Sequence, residues 1–166
     1  MNLIIRPAVL SDADVICEFN RLMAKETENK DLDPGVLKAG VAAMLADSNK
    51  GRYFVAEEAP HPRPLSQGER GAGGVVGQLG VTSEWSDWRH GNFWWIQSVY
   101  VTEQARRHGV FRKLYEHLLT EARAQANVIG VRLYVEHDNA IAQATYQKLG
   151  MIMTGYQVME VCPLAS

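Results

Sequence analysis

The sequence predicts an α/β (α+β) fold, in which helices flank a mixed, mostly antiparallel central sheet that contains one parallel βαβ crossover. The longest strand pattern, residues 92–101, is apolar on both alternating faces, which is typical of a strand in the middle of a sheet. An amphipathic helical pattern and a further strand pattern follow it, and strands joined by such a crossover run parallel. Two earlier strand patterns, 51–57 and 74–83, are predicted to be antiparallel neighbours.

The N-terminal part of the chain predicts one strand and two helices. Leu3 to Arg6 form the strand, and Ser11 or Asp12 is the expected N-cap of the first helix. The apolar residues that recur at helical spacing in the first helix are Val15, Ile16, Phe19, Leu22 and Met23. Pro34 is expected to begin the second helix, since proline is favoured in a first helical turn.

An acidic loop, Glu26 to Asp33, is predicted between the two helices. Such a loop is usually a solvated surface segment. The alternative is that one of its carboxylates receives a cationic amine; the candidates are Glu26, Glu28, Asp31 and Asp33. The sequence leaves both interpretations open.

Residues 59–73, between the two antiparallel strands, are rich in proline and glycine. That composition suits no packed element, and added residues at a hairpin tip cost little folding free energy. The segment is therefore predicted to be a flexible hairpin insertion, and no function is assigned to His61 or Arg63.

The C-terminal half completes the predicted order of strand, two helices, three strands, helix, strand, helix and strand. The helix after residue 109 carries an apolar stripe made of Phe111, Leu114, Tyr115, Leu118, Leu119 and Ala122. Val131 to Glu136 form the next predicted strand. A short helix over Asn139 to Leu149 ends at Gly150, and Met151 to Val161 form the last predicted strand.

Composition limits the classes of function. A chain of 166 residues, 46% of them apolar and 22% charged, fits a single domain over 1–166, and its net charge of −2 lacks the basic excess of a nucleic-acid binder. No signal-peptide start and no membrane-spanning apolar run are apparent, so a cytoplasmic location without membrane association is expected. Cys17 and Cys162 are interpreted as small core residues, and the scattered histidines and cysteines predict no metal site.

The turn between the central strand and the next helix has the residues of an anion site. Arg106, Arg107, His108 and Gly109 stand immediately before the helix. A helix N-terminus has unpaired N–H groups and a partial positive charge, and a glycine lets the main chain approach a ligand closely. The pattern therefore predicts a phosphate or diphosphate site.

This turn also resembles the acyl-CoA diphosphate motif of the GNAT family of N-acetyltransferases, Gln/Arg-x-x-Gly-x-Gly/Ala. Arg106 and Gly109 match the motif, whereas Phe111 stands where the family usually has Gly or Ala. The family also requires a preceding apolar strand, a strand after the helix, and an Asn and a Tyr on a final short helix. Asn139 and Tyr146 satisfy that order, so the resemblance spans nearly the whole chain.

The resemblance implies a set of cofactor contacts. The strand ending at Val101 would splay from its parallel neighbour, so that main-chain groups of Val99, Tyr100 and Val101 pair with the pantetheine arm of acetyl-CoA. Asn139 would contact the same arm. The diphosphate would be held by the N–H groups of residues 108–112, with charge from arginine. The residues concerned are Arg106, Arg107, His108, Gly109, Val110, Phe111 and Arg112.

The resemblance also implies the chemistry. Tyr146 would be the general acid that protonates the departing CoA thiolate, and the N–H of Val99 would stabilise the oxyanion. The attacking amine must lose a proton, yet Gln97 stands where many family members have a Glu base. Glu84 and Glu136 are the nearest sequence candidates. The tryptophans Trp85, Trp88, Trp94 and Trp95 serve either as core anchors or as walls of an acceptor pocket.

The expected function is therefore transfer of an acetyl group from acetyl-CoA to a small-molecule or peptide primary amine, by direct attack in a ternary complex. Two alternatives stay open: a non-catalytic acyl-CoA sensor or interaction module of the same fold, and a nucleotide-binding phosphotransferase. The second is disfavoured because no Gly-Lys-Ser/Thr loop is present. The sequence leaves the acceptor and the oligomeric state open, with a homodimer as one option.

Overall fold

The computed structural model describes residues 1–59 and 74–162. Residues 1–133 form one compact unit, and the described residues from 134 onwards form a second. The single domain over 1–166 stays a prediction. Apart from Ala59, the Pro/Gly-rich insertion assigned to 59–73 lies outside the described residues, as do His61 and Arg63.

The first unit has the predicted order of elements. Within its described residues these are β1 (Leu3–Pro7), α1 (Ala13–Glu28), α2 (Pro34–Ala46), β2 (Arg52–Glu58), β3 (Val75–Ser86), β4 (Gly91–Val101), α3 (Val110–Ala124) and β5 (Val128–Leu133). Short 3-10 turns occupy Leu10–Asp12, Asp87–Arg89 and Glu103–Ala105. The predicted α/β (α+β) class is confirmed. The largest boundary error in this unit is at β5, which was expected over Val131 to Glu136.

The sheet has the strand order β1-β2-β3-β4-β5, and every neighbouring pair is antiparallel except β4 and β5, which are parallel as predicted. Only residues 92–96 of β4 pair with β5, whereas β3 pairs along the whole of β4. Gly80 pairs with Ser98 and Val81 with Ile96, so Gln97 is an extra residue on β4 at a bulge. Beyond this bulge, β4 continues beside β3 alone.

Helices cover both faces of the sheet, which explains why the central strands are apolar on both faces. On one face, Ile16 of α1 and Val41 of α2 pack with Tyr53 and Val55. On the other face, the ring of Phe54 meets His117 of α3 edge-on, with ring centroids 5.1 Å apart. Neighbouring residues of β2 therefore belong to opposite halves of the core.

The segment between α1 and α2 begins later than predicted. Glu26 and Glu28 belong to the last turn of α1, which ends at Asn29 in a left-handed conformation (φ 50°). Lys30 N then donates to Ala24 O at 3.1 Å. At the other end, Asp33 caps α2 by accepting a hydrogen bond from Val36 N at 2.8 Å. The predicted acidic loop is therefore shorter than the acidic run in the sequence.

The second unit contains α4 (Ala140–Lys148), close to the predicted helix. Asn139 caps it by accepting from Ala142 N at 3.0 Å, and Gly150 follows it with a φ of 89°. The predicted last strand over Met151 to Val161 is wrong: the structure assigns no strand to residues 151–162, and Ile152, Val158 and Met159 are exposed. An apolar alternation supplies strand propensity, but a strand also needs a neighbouring ladder, which this segment lacks among the described residues.

The cysteine prediction is correct only in part. Cys17 is half-buried on α1, and burial raises the pKa of its thiol. Cys162 is exposed, because the expected strand around it is not formed. Among the described residues, no cluster of His, Cys, Asp and Glu could hold a metal ion. Every helix within the described ranges falls short of the length and apolarity that crossing a membrane requires.

Candidate active site

The turn between β4 and α3 exposes the start of a helix. Arg107 (φ 67°) and Gly109 (φ 79°) both adopt left-handed conformations, and Gly109 occupies the N-cap position. The first bond of the helix runs from Lys113 N to Gly109 O at 3.1 Å. The N–H groups of residues 110–112 therefore lie in the first turn, where no intrahelical acceptor exists. The geometry is that of an anion-binding helix terminus.

Phe111 is the residue that departs from the family motif, and its side chain packs along α3. Its ring is half-buried and packs against Tyr115, with ring centroids 6.1 Å apart. Tyr115 is buried. The bulk of Phe111 is therefore directed along the buried side of α3, and its backbone N–H stays in the first turn.

Arg106 is held by groups of the protein itself. Its Nη2 lies 2.6 Å from Glu26 Oε2, and its Nε donates to Val101 O at 3.0 Å. Tyr100 donates its hydroxyl to the other oxygen of Glu26 at 3.0 Å. The neighbouring Glu26 raises the pKa of Arg106. Arg106 thus ties the C-terminal end of α1 to the end of β4, while Arg107, His108 and Arg112 are exposed.

Two parts of β4 differ in their pairing; we call residues 97–101 the open half and residues 91–96 the paired half. Thr102 N donates to Val76 O at 2.9 Å, towards β3. Backbone groups alternate along a strand, so those of Tyr100 also face β3, and those of Val99 and Val101 face the opposite edge. Main-chain contacts at that edge therefore fall to Val99 and Val101. This corrects the expectation for Tyr100, whose backbone pairs with β3.

A cavity of about 280 Å³, which we call the α1–β4 cavity, lies beside the open half. Its polar lining comes from Asn20, Tyr53, Gln97 and Ser98. The apolar lining consists of Met23, Ala24, Leu32 and Leu37, and the charged residues are Glu28 and Lys30. All of these residues belong to the first unit. The cavity is large enough for a small organic molecule, and Gln97 and Ser98 of the open half line it.

The cavity floor contains a buried hydrogen-bond chain. Gln78 Nε2 donates to Asn20 Oδ1 at 2.6 Å, and Asn20 Nδ2 donates to Tyr53 Oη at 3.3 Å. Burial raises the pKa of Tyr53, while Asn20 and Ser98 beside the hydroxyl oppose this rise. Ser98 Oγ is buried and makes no hydrogen bond with any residue that the structure describes.

Gln97, which takes the place of the expected base, is exposed at the bulge. Its Nε2 donates to Thr82 Oγ1 at 2.7 Å. A neutral amide cannot accept the proton of an ammonium, so Gln97 contributes hydrogen bonds rather than a charge. Gln97 is the first residue of the open half and lines the cavity.

The other candidate bases lie in different surroundings. Glu84 pairs across β3 and β4 with Phe93, four residues before Gln97, and forms an ion pair with Arg132 at 3.1 Å. Four strand residues correspond to about 13 Å. Glu136 is exposed in the second unit, where its carbonyl accepts from Gln143 Nε2. Glu84 is therefore remote from the cavity.

The four tryptophans do not form the pocket wall. Trp94 is buried, with the guanidinium of Arg52 over its ring at 4.6 Å, and Trp95 is half-buried. Trp85 and Trp88 are exposed. The residues that line the α1–β4 cavity include none of them. Interpretation as a core anchor is therefore correct for Trp94 and wrong for the two exposed residues.

The second unit carries the remaining predicted site residues, both on or next to α4. Asn139 is the N-cap, as its side-chain bond to Ala142 N shows. Tyr146 lies two turns along the helix and is half-buried, and burial raises the pKa of its phenol. Its backbone carbonyl accepts from Leu149 N and Met151 N.

Sequence reasoning missed Asn20, Tyr53 and Ser98 of the cavity lining, and Gln78, which donates to Asn20 from behind it. A signal was present for two of them. Asn20 follows Phe19 on the apolar stripe of α1, and Gln78 interrupts the apolar run of β3. A polar amide at a buried position must be hydrogen-bonded, which marks both residues as members of a network.

Comparisons with known proteins identify the family and the fold. The family model described as the acetyltransferase (GNAT) family matches residues 22–151. A possible acetyltransferase from Clostridium difficile 630 is 41% identical, with 99% of this chain and 100% of that chain covered and a TM-score of 0.84. Comparison with curated proteins gives no significant match.

Two more distant structures support the fold alone. The ribosomal-protein-alanine N-acetyltransferase from Brucella melitensis biovar Abortus 2308 is 12% identical, with 96% of this chain and 98% of that chain covered and a TM-score of 0.68. AAC(6')-Iy, in complex with the bisubstrate analogue CoA-S-monomethyl-acetylneamine, is also 12% identical. The match covers 99% of this chain and 100% of that chain, with a TM-score of 0.73.

Proposed function

The chain belongs to the GNAT family and is an acetyl-CoA-dependent N-acetyltransferase, and from this premise we propose that it transfers the acetyl group to a primary amine by direct attack in a ternary complex. One observation carries the proposal. The open half of β4 continues through a left-handed turn into the exposed start of α3, and the α1–β4 cavity lies beside the same open half. A thioester bound along the strand edge would therefore lie next to a cavity for the acceptor.

Acetyl-CoA is the proposed acetyl donor, bound through main chain and helix terminus. The carbonyl of Val99 and the N–H of Val101 pair with the pantetheine amides as an added strand would. The N–H groups of residues 108–112, with Arg107 and Arg112, bind the diphosphate. Asn139 contacts the pantetheine arm, a role that rests on the family resemblance.

Acetyl transfer requires one bond to form and one to break. The amine nitrogen attacks the thioester carbonyl carbon, and the N–H of Val99 stabilises the oxyanion. The C–S bond then breaks. As the family resemblance implies, the hydroxyl of Tyr146 gives its proton to the leaving thiolate, and the phenolate regains a proton from water. Since Gln97 cannot act as a base, the proton of the amine leaves to solvent water. Burial raises the pKa of Tyr146, so the phenol stays protonated through neutral and mildly alkaline pH.

A specific observation favours the second candidate, a non-catalytic acyl-CoA sensor. Gln97 replaces the usual Glu, and its side chain is engaged with Thr82. A sensor would retain the anion site at α3 and lack turnover. A cytoplasmic location and the oligomeric state stay predictions for either candidate.

Release of CoA thiol from acetyl-CoA, measured with a panel of primary amines, tests the proposal. We expect amine-dependent turnover that falls about 100-fold in Tyr146→Phe, because general acid catalysis contributes on that order. The matched control is Tyr156→Phe, whose exposed tyrosine is expected to leave the rate unchanged. The rate of the unmodified protein is expected not to fall through tyrosine ionisation between pH 7 and about 9, since the pKa of Tyr146 is raised above the usual value of about 10.

Calorimetry with acetyl-CoA separates the two candidates. Binding with amine-dependent turnover supports the enzyme. Binding without turnover of any amine, with Tyr146→Phe indistinguishable from the unmodified protein, would support the sensor. A chain that binds neither CoA nor acetyl-CoA would refute both.

A further inference from the structure

Three strands bring a row of residues to the floor of the α1–β4 cavity. Tyr53 on β2, Gly80 on β3 and Ser98 on β4 are successive partners across the sheet. A Cβ atom at Gly80 would lie 2.7 Å from Tyr53 Cε1 and 2.8 Å from Ser98 Oγ. The missing side chain at Gly80 therefore lets the phenol ring and the serine hydroxyl approach each other over the middle strand.

Hydrogen bonds behind this row run in one direction. Gln78 Nε2 donates to Asn20, and Asn20 Nδ2 donates in turn to the hydroxyl oxygen of Tyr53. A phenol has one proton to donate, and because Tyr53 accepts from Asn20, that proton remains for another acceptor. The chain therefore ends in a hydrogen-bond donor at the cavity floor.

Ser98 supplies a second, independent observation. Its side chain is 8% exposed, and its Oγ has no hydrogen-bond partner among the described residues. A buried hydroxyl without a partner is costly, so its presence in a cavity wall indicates a polar occupant. An occupant that presents an oxygen to both hydroxyls would accept the free proton of each.

The cavity also selects against a charged group at its floor. Asn20, Tyr53 and Ser98 are all neutral, since burial keeps Tyr53 in its phenol form. The charged residues of the lining, Glu28 and Lys30, are exposed and have opposite signs. A carboxylate or a second ammonium at the floor would lose its hydration without gaining a counter-ion.

We propose that the acceptor is a small primary amine that carries a neutral oxygen, a hydroxyl or an amide carbonyl, on a short aliphatic linker, and that Tyr53 and Ser98 bind this oxygen. The inference rests on the proposed function and names the class of its acceptor. Ser98 directly precedes Val99 in the chain, and consecutive Cα atoms are about 3.8 Å apart, so a short linker is expected to join the oxygen to the attacking amine. The apolar side chains of Met23, Leu32 and Leu37 accommodate the linker.

Matched amines test the inference through the same CoA-release assay. The pairs are ethanolamine against propylamine and glycinamide against glycine, with putrescine as the dicationic comparison. We expect kcat/KM for each neutral oxygen-bearing amine to exceed that of its partner and of putrescine at least tenfold, as one hydrogen bond to a buried group allows. Comparing ethanolamine with glycinamide shows whether a hydroxyl or an amide carbonyl is the preferred neutral oxygen.

Two variants assign the selectivity to the floor. In Tyr53→Phe and Ser98→Ala, the preference for ethanolamine over propylamine is expected to fall at least fivefold, while the Kd of acetyl-CoA stays within twofold. Tyr156→Phe and Ser83→Ala, both at exposed positions, are the matched controls and keep the preference.

Each failure has its own meaning. Turnover of several amines with no preference for the oxygen, or with glycine or putrescine preferred, would overturn the acceptor assignment and leave the acetyltransferase proposal intact. Turnover of no amine at all would overturn both. A preference that survives in both Tyr53→Phe and Ser98→Ala would remove these residues from the site.

Discussion

The two halves of β4 are similar in sequence and different in surroundings. Among the described residues, 92–96 have a neighbouring strand on each side, whereas 97–101 have one on the side of β3 only. Apolar side chains predominate in both halves, so composition alone does not separate them. The difference lies in the backbone, because a bulge occurs at Gln97 and β5 does not extend beyond Leu133. One strand therefore lies between two neighbours at one end and beside β3 only at the other.

The largest expected effect is on stability, in the paired half. Trp94 is 3% exposed, so Trp94→Ala is expected to lower the free energy of unfolding by about 3–5 kcal/mol. Val99 of the open half is half-buried, and Val99→Ala is expected to cost about 1 kcal/mol and keep its main-chain N–H. Urea titration measures both values, and calorimetry is expected to give Val99→Ala an acetyl-CoA Kd within twofold of the unmodified protein.

Equal losses of stability at Trp94 and Val99 would contradict the division of β4 into two halves. Trp94→Phe retains an aromatic ring and is expected to lose less stability than Trp94→Ala. It can therefore be measured if the alanine variant does not fold. A large loss of acetyl-CoA affinity in Val99→Ala would show that the side chain, rather than the main chain, makes the contact.

The turn that follows the open half is expected to give the next largest effect. Gly109 has a φ of 79°, and nothing lies within 4 Å of the place where a Cβ would be. Gly109→Ala therefore acts through backbone strain of about 1–2 kcal/mol, and by shifting the first turn of α3 it should weaken acetyl-CoA binding about tenfold. Gly150, with a φ of 89° and the same open space, is the matched control.

Gly150→Ala is expected to introduce similar strain and leave the Kd of acetyl-CoA unchanged, as calorimetry would measure. If both variants bind acetyl-CoA as the unmodified protein does, the start of α3 is not the diphosphate site. If both bind it weakly, general loss of stability is the cause.

The fold could be predicted because its elements are specified locally or by burial. The crossover from β4 to β5 follows from a strand apolar on both faces, a helical stripe and a second strand in sequence. The predicted strand over Met151 to Val161 failed for the opposite reason. An alternation of apolar residues indicates that a segment is able to pair as a strand. It does not indicate which strand edge is available as its partner. Pairing with a distant strand is a property of the whole sheet.

The site could be predicted only where it is continuous in sequence. The turn at Arg106 to Gly109 precedes its helix directly, so its geometry follows from local rules. The role of Arg106 could not be predicted from local rules, because its partner Glu26 is 80 residues away in the sequence. The cavity floor likewise joins α1 with three different strands. Asn20 and Gln78 each appeared only as a polar residue in an apolar pattern, and their contact emerges from the packing.

Gly80 and Gly77 lie on β3 beside the open half. Replacing each one by alanine compares the two faces of the sheet. Gly80→Ala would place a Cβ against Tyr53 and Ser98, and we expect the KM for the acceptor to rise about fivefold with the KM for acetyl-CoA unchanged. A Cβ at Gly77 would instead meet Val110 Cγ1 at 3.0 Å, on the side of α3. Gly77→Ala is expected to lower stability without changing the KM for the acceptor.

Initial rates of CoA release at varied amine and varied acetyl-CoA separate these two KM values. The contrast between the faces fails if Gly77→Ala raises the KM for the acceptor as much as Gly80→Ala does. A rise in the KM for acetyl-CoA in Gly80→Ala would show that the cavity floor also positions the thioester.

The smallest expected effects come from two arginines at opposite ends of α3. Arg112 lies in the first turn and Arg123 in the last, and both are exposed. A cation in the first turn opposes the helix dipole and one in the last turn complements it, so Arg112→Gln is expected to stabilise the protein slightly and Arg123→Gln to destabilise it. For acetyl-CoA the expectation differs: Arg112→Gln weakens binding about threefold, and Arg123→Gln leaves it unchanged.

Thermal unfolding and calorimetry at low and high salt measure this pair. The threefold loss in Arg112→Gln should shrink as salt rises, because salt shortens the Debye length from about 10 Å at 0.1 M to about 3 Å at 1 M and so screens an exposed arginine from the diphosphate. Weaker binding that tracks lower stability in both variants would point to a general effect of the helix. If Arg112→Gln instead raises stability and weakens acetyl-CoA binding, Arg112 serves a ligand. Folding alone disfavours a cation at the start of α3.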